Sequence, residues 1–259
     1  MTAFHKALSL IKREFSYFRI KPGRLIFDHI SKCAGTSVYY FLKPYYPYRK
    51  TYSINGSSPE KSVQNFARLA EKKQQSYLLI HGHLARGLFS LVPENTLYIT
   101  TLRDPIDRIA SHYEYVKRDK TNHLHRKVVE GNIFLTDYCA RHLSPELENW
   151  YVSYFSGLTK DEMYADPGQA IEIAYSHLIK DYQLIGFQDR IPDFLNKVAE
   201  LAGLPNAKAD KHHKNKTIRH DGGSLSDEER DSISSYNKLD IALYEKLMLL
   251  RKNGTILNI

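Results

Sequence analysis

Short apolar runs alternate along this chain with longer stretches in which apolar positions recur every three or four residues. The runs Leu25–His29, Tyr77–His81, Thr96–Leu102 and Leu184–Phe187 are too short to show an in–out alternation. They predict strands buried on both faces. Helical spacing predicts helices over Thr36–Leu42, Pro59–Lys73, Pro105–Arg118, Asn132–His142, Pro145–Phe155, Gly168–Lys180, Ile191–Ala202 and Asp227–Arg251. The last opens with a capping box, Ser226 to Glu229, and stops before Gly254. Strands separated by helices predict an α/β class: a three-layer fold with a central, mainly parallel sheet flanked by helices. Such sheets bind ligands at the carboxyl ends of their strands. Residues 49–58 and 208–223 read as irregular, and the second carries Lys208, Lys211, Lys214, Lys216, Arg219 and three histidines. At the N-terminus Phe4, Ala7, Leu8, Ile11, Phe15 and Phe18 predict a helix over 1–20, packed on the domain in preference to lying on a membrane.

Composition narrows this only a little. A chain of 259 residues suits one large domain or two small ones. A single domain over 1–259 is the expectation. The net charge of +8 fits a polyanion, a phosphate-rich ligand or a merely basic surface. Two cysteines, Cys33 and Cys139, make neither a disulfide framework nor a metal site. Cys33 reads as a packing residue ahead of a reactive thiol. No stretch reaches the roughly 20 apolar residues of a membrane span, and no signal-peptide core is evident. With only two cysteines and no disulfide framework, a reducing cytoplasm is the expected location.

Candidate chemistry begins at "HISKCAGTS", residues 29–37, between the first strand and the first helix. A strand, a loop of small residues and a helix N-terminus together make an anion site, because the N–H groups converge there and the helix dipole favours negative charge. Gly35 permits close approach, and Thr36 and Ser37 add hydroxyls. Lys32 precedes the glycine, so the loop is P-loop-like without matching GxxxxGK[ST]. No Walker-type Mg²⁺ arrangement accompanies it. A second strand–helix junction, "TLYITTLRDPIDRIASHY", places Arg103 where it can grip a phosphate bidentately. Alternatively, Arg103 pairs with Asp104 or Asp107. Pro105 suits the first helical turn, and Ser111 lies two turns further on.

Together these residues resemble the sulfotransferase family, in its carbohydrate branch typified by heparan sulfate 2-O-sulfotransferase. "HISKCAGTS" is similar to that family's 5′-phosphosulfate loop, HxPKTAGTS, and "TLRDPIDRIASHY" to its 3′-phosphate motif. "HGHLARGLF", residues 81–89, resembles the segment that carries a catalytic histidine in the 2-O branch. "YSHLIKDYQLIGFQDRIPDFLNKVAELAGLP", "HHKNKT" and the helix "YNKLDIALYEKL" also fit, so the resemblance spans roughly residues 24–250. Ser31-Lys32-Cys33 departs from the commoner Pro-Lys-Thr, and Cys33 gives up a hydroxyl.

The resemblance implies 3′-phosphoadenylyl sulfate (PAPS) as donor, PAP as product and no metal. It implies a donor site of Lys32, Cys33, Ala34, Gly35, Thr36 and Ser37 at the phosphosulfate and Arg103 and Ser111 at the 3′-phosphate. The basic loop Lys214, Asn215, Lys216 and Thr217 would fold over the nucleotide. Lys32 would stabilise the leaving phosphate. An acceptor hydroxyl needs a base, and histidine titrates near working pH. His83 is favoured, with His81 as its partner, since residues two apart on a strand share a face. Asn149-Trp150 resembles the family's acceptor side, with helix core an equal reading for Trp150. The expected partner is a hydroxyl acceptor, a sugar or glycan, with no nucleic acid and no transmembrane segment. Sequons lie at Asn55, Asn215 and Asn253. A glycan on Asn215 would crowd the donor loop, which favours a non-glycosylated cytoplasmic protein; the size fits a bacterial origin, and a truncated luminal domain is the other reading. The competing readings are a P-loop kinase, which needs Mg²⁺ ligands and a lysine after the glycine, and a non-catalytic nucleotide or polyanion binder.

Overall fold

The computed structural model describes residues 22–204, 209, 224–252 and 254–257. The helix expected over 1–20 and the loop residues Lys214, Asn215, Lys216 and Thr217 lie outside them. The chain divides into two compact units. One, the sheet unit, takes Met1–Leu102, Tyr182–Asn215 and Lys252–Ile259; the other, the helical unit, takes Arg103–Asp181 and Lys216–Arg251.

The sheet unit holds β1 (Leu25–Asp28), β2 (Thr51–Ser53), β3 (Leu79–Gly82), β4 (Leu97–Leu102), β5 (Leu184–Phe187) and β6 (Thr255–Leu257), in the order β2-β3-β1-β4-β5-β6. β1 to β5 run parallel and β6 is antiparallel to β5. The four predicted strands are present, and β5 has the predicted bounds. β2 and β6 are three residues each, too short to leave a period in the sequence. β2 falls inside the stretch read as irregular and exists by pairing Tyr52 against Ile80.

Helices cover both faces of this sheet, as continuous apolar strands require. Leu25 and Phe27 of β1 pack with Val38 and Phe41 of α1 (Gly35–Leu42) and with Phe194 and Val198 of the helix Ile191–Leu201. Ile26 and Ile80 point the other way, into Phe66 of α2 (Pro59–Ala67) and Ala85 and Leu88 of a 3₁₀ segment. The helix predicted over Pro59–Lys73 is interrupted, and α3 (Glu71–Gln74) restarts after Ala70 adopts an extended backbone. The Gln74 amide then donates to the carbonyls of Phe66 and Ala67, at 3.1 and 3.2 Å, capping the end of α2. β1 lies between β3 and β4, so the chain leaves it to both sides. Its carboxyl end is a topological switch point, where ligands of such sheets bind.

In the helical unit the described residues form α4 (Pro105–Arg118), α5 (His125–Glu130), α6 (Leu135–Tyr138), α7 (Trp150–Ser156), α8 (Lys160–Ala165) and α9 (Pro167–Asp181). The sheet unit's Ile191–Leu201 is α10 in chain order, and α11 (Asp227–Tyr236) and α12 (Lys238–Leu250) follow in the helical unit. The predicted bounds hold for α4 and nearly for α9 and α10, whereas α5 and α8 were not predicted. Three predictions are corrected. The helix over Asp227–Arg251 breaks at the buried Asn237, whose amide donates to the carbonyls of Leu147 and Ile233 at 3.1 and 3.0 Å. The helix over Pro145–Phe155 starts only at Trp150, because Asn149 is left-handed (φ 43°). The helix over Asn132–His142 shrinks to α6 between left-handed Asn132 and His142. The capping box at Ser226 is present as predicted.

Candidate active site

Asp28 ends β1 fully buried, its carboxylate accepting from the Tyr182 hydroxyl at 2.5 Å. Two threonines of β4 then hold the chain that follows. Thr100 Oγ1 donates to the Asp28 carbonyl at 2.8 Å and Thr101 Oγ1 to the Cys33 carbonyl at 2.6 Å. Lys32 and Ala34 both have φ near 64°, a left-handed backbone that non-glycine residues seldom adopt. The alternation coils the loop into α1, whose first turn carries no acidic residue and no side-chain cap. Cys33 and Ser37 are buried, Thr36 is exposed, and Lys32 and Ala34 are half-buried. The Cys33 side chain is fully buried, with Sγ 3.5 Å from the Ser31 carbonyl, and its N–H donates within the turn to the Ile30 carbonyl at 3.3 Å.

The strand register sets the histidines beside this loop. β1 pairs with β3 so that Asp28 opposes Gly82, which brings His29 and His83 opposite one another in the next step. The His29 N–H still completes a ladder bond to the Gly82 carbonyl at 3.0 Å. At Leu84 the backbone turns left-handed (φ 62°) and the chain departs. The His83 side chain takes the next rung: its Nδ1 lies 2.7 Å from the His29 carbonyl. A carbonyl only accepts, so Nδ1 carries a proton, and the tautomer this bond selects leaves Nε2 as the basic nitrogen. His81 is held differently, with Nε2 2.7 Å from Ser53 Oγ and its ring stacked on Tyr39 at 4.2 Å. Between the two, Gly82 has φ 136°, and a Cβ there would fall 2.6 Å from Ile54 Cβ. Only glycine fits.

His29 was missed in the sequence as a member of the site. Its ring stacks on His83 with centroids 4.5 Å apart, and on Phe27 at 5.6 Å. It also lies against Gly35, where an added Cβ would fall 1.9 Å from its Cδ2 and Nε2. Burial, then the neighbouring charges of His83, His81 and Lys32, hold its pKa well below the ordinary histidine value. The available signal was its position two residues after Phe27, hence on the same face.

In the helical unit, Tyr151 fixes the main chain of Arg103. Its hydroxyl accepts from the Arg103 N–H at 3.1 Å and donates to the Arg103 carbonyl at 2.8 Å. Arg103 Nε is buried without a hydrogen-bond partner among the described residues. Asp104 is engaged elsewhere, capping α4 by accepting from the N–H groups of Ile106 and Asp107 at 3.0 and 3.1 Å. Ser111 is buried within α4. Trp150 is half-buried and stacks on Tyr154 at 5.6 Å, so it is not simply core. Among the described residues no group of three His, Cys, Asp or Glu side chains is placed to hold a metal.

No protein-family model matches the chain. Among curated proteins, it is 26% identical to a heparin sulfate O-sulfotransferase of Drosophila melanogaster over 143 residues, covering 52% of this chain and 40% of that protein. It is 27% identical to heparan sulfate 2-O-sulfotransferase 1 of Mus musculus over 140 residues, 51% of this chain and 38% of the other. The chain resembles the heparan sulfate 2-O-sulfotransferases. The Gallus gallus protein of that name extends the match to 186 residues at 25% identity, 66% of this chain and 52% of its own length. The chain thus spans about half the length of the curated relatives it matches. These relatives are animal proteins and give no support to the cytoplasmic, bacterial location expected from the sequence. Among the described residues no helix is long and apolar enough to cross a membrane.

Proposed function

We propose that the chain is a PAPS-dependent sulfotransferase acting on a hydroxyl of a carbohydrate. The observation that carries this reading is the pairing of β1 with β3, which brings the loop after β1 and the His83 imidazole, bonded through Nδ1 to the His29 carbonyl, to adjacent strand ends. The strand order, with the loop following the central β1, supports the P-loop-like assignment. The N-terminus of α1 and the Lys32 ammonium suit a phosphosulfate, and the unpartnered Nε of Arg103 suits the 3′-phosphate.

In this reading His83 Nε2 takes the proton of the acceptor hydroxyl as that oxygen attacks sulfur. The bond from sulfur to the bridging phosphate oxygen breaks in line. Lys32 offsets the negative charge that collects on the departing phosphate. No metal has a step to perform. The Nδ1–H bond to the His29 carbonyl keeps the base in the correct tautomer as it becomes charged, and α1 with Lys32 keeps the donor aligned.

The test is ligand-dependent melting, followed by mass detection of a sulfated acceptor. PAP at about 100-fold its Kd adds roughly 2.7 kcal/mol to the native state, whereas Mg·ATP adds much less. Equal or greater stabilisation by Mg·ATP points to a kinase instead. Tight PAP binding with no sulfate release from labelled PAPS points to a non-catalytic binder.

A further inference from the structure

The groups around His83 do more than surround it. Its Nδ1 bonds to the main chain of His29 while its ring lies on the side chain of the same residue, 4.5 Å away and tilted by 24°. The other edge of the His29 ring closes on Gly35, the first residue of α1. One residue therefore spans the gap between the proposed base and the start of the proposed donor helix. Burial, then the neighbouring charges of His83, His81 and Lys32, disfavour a charged His29 ring between an anion and a base.

We propose that His29 is a positioning residue: its ring, seated on Gly35 and stacked on His83, fixes the His83 imidazole relative to the donor loop. This rests on the sulfotransferase reading, although the packing itself does not. It gives Gly35 a second duty. Glycine there lets the backbone approach an anion, and it also leaves the space that the His29 ring fills. Any side chain at position 35 displaces that ring, and with it the base.

The test uses the full chain labelled with ¹⁵N-histidine, with His29→Ala, His29→Phe, Gly35→Ala and the double variant Gly35→Ala/His29→Ala. In His29→Ala, kcat falls roughly 10- to 100-fold, the usual consequence of a misplacement near 1 Å, while PAP affinity stays within about threefold. The His83 imidazole resonances shift and lose the pure Nδ1–H signature. His29→Phe keeps a flat ring in the stack and recovers most of kcat and the His83 signature. Gly35→Ala also lowers kcat and shifts the His83 resonances, and the double variant shifts those resonances no further than His29→Ala, because the two changes remove one arrangement.

Unchanged His83 resonances in His29→Ala overturn the proposal, and this readout holds whether or not the protein transfers sulfate. Loss of PAP affinity in parallel with kcat makes His29 a donor contact and also overturns it. So does His29→Phe remaining as slow as His29→Ala with the His83 signature restored. Absence of sulfate transfer by the unsubstituted protein refutes the activity alone.

Discussion

The two compact units spend their buried polar groups on different tasks. In the sheet unit Thr100, Thr101 and Asp28 lie toward the carboxyl ends of their strands, Asp28 accepts from the Tyr182 hydroxyl, and Thr100 and Thr101 hold the loop after β1. In the helical unit they tie helices to each other. Asn149 Oδ1 accepts from the N–H groups of Leu239 and Asp240 at the start of α12, at 2.9 and 3.3 Å. Asp240 in turn accepts from the N–H groups of Tyr151 and Val152 at the start of α7, both at 2.9 Å. Each helix caps the other, satisfying N–H groups that a helix start leaves unbonded. Removing a polar group should therefore cost rate or ligand affinity in the first unit and folding stability in the second.

The sharpest break of that contrast is His83→Ala. The rate of sulfate transfer should fall by about 10² to 10⁴, the usual contribution of a positioned base. PAP affinity and melting temperature should change little. Lys32→Ala should lose turnover as well, but with weaker donor binding, since Lys32 meets the donor in the ground state too. A folded His83→Ala protein that binds PAP and sulfates its acceptor at the original rate would remove His83 from the mechanism and turn attention to His81.

The counterpart in the helical unit is Asp240, fully buried, whose pKa burial raises to about 6, against the pull of Arg108 and the capped N–H groups. In the unfolded chain an aspartate titrates near 3.9. The folded state therefore holds this proton more tightly. Its contribution to stability is fully present below about pH 4 and is lost as pH rises through about 6. A shift of about two units corresponds to roughly 3 kcal/mol. Measured as the stability of the unsubstituted protein minus that of Asp240→Asn, the difference should fall between pH 4 and 6 and flatten above. A difference that rises with pH would mean that Arg108 and the N–H groups outweigh burial, and that the carboxylate is held ionised.

Arg103 tests the contrast from the helical unit, because the proposed function gives its guanidinium a 3′-phosphate to hold. Arg103→Ala should weaken PAPS binding by about 1.5–3 kcal/mol, the range of a charge-assisted contact. Adenylyl sulfate, which lacks the 3′-phosphate, should be affected far less. Equal losses for the two nucleotides would make Arg103 structural, as its main-chain clamp by Tyr151 already is.

The same division of labour sets what the sequence discloses. Strands buried on both faces need apolar side chains throughout, so β1, β3, β4 and β5 are legible as runs. The loop between β1 and α1 is legible because its small residues, glycine and lysine lie between an apolar run and a helical pattern, and the anion assigned to it belongs to the proposed function. The long helices predicted in the helical unit fail where an asparagine serves a distant partner. Asn237 and Asn149 are 88 residues apart, and each looks like an ordinary helix residue until the other is beside it. His29 is hidden for a related reason: its role depends on the β1–β3 register and on the space left at Gly35, and neither is local in sequence.

The smallest expected effects give the finest comparison, because two substitutions of similar cost should appear in different measurements. Thr101→Val keeps the shape of a buried β-branched side chain but leaves the Cys33 carbonyl without the hydroxyl that meets it at 2.6 Å. Ser226→Ala removes a capping box whose hydroxyl meets the Glu229 N–H at 3.2 Å on the surface of α11. Each loss is worth about 1 kcal/mol. For Ser226 it should be seen as a lower melting temperature alone, with PAP affinity and turnover unchanged, because the bonds of that cap run between Ser226 and Glu229 at the start of α11. For Thr101 the same cost should be divided. Part lowers the melting temperature, and part weakens PAP binding, because the freed carbonyl lets the left-handed turn at Lys32 and Ala34 relax away from the form that presents α1 to an anion. Saturating PAP should therefore recover more of the lost melting temperature in Ser226→Ala than in Thr101→Val. Equal recovery in both would mean that the loop keeps its shape without Thr101, and that the turn is held by its own backbone bonds.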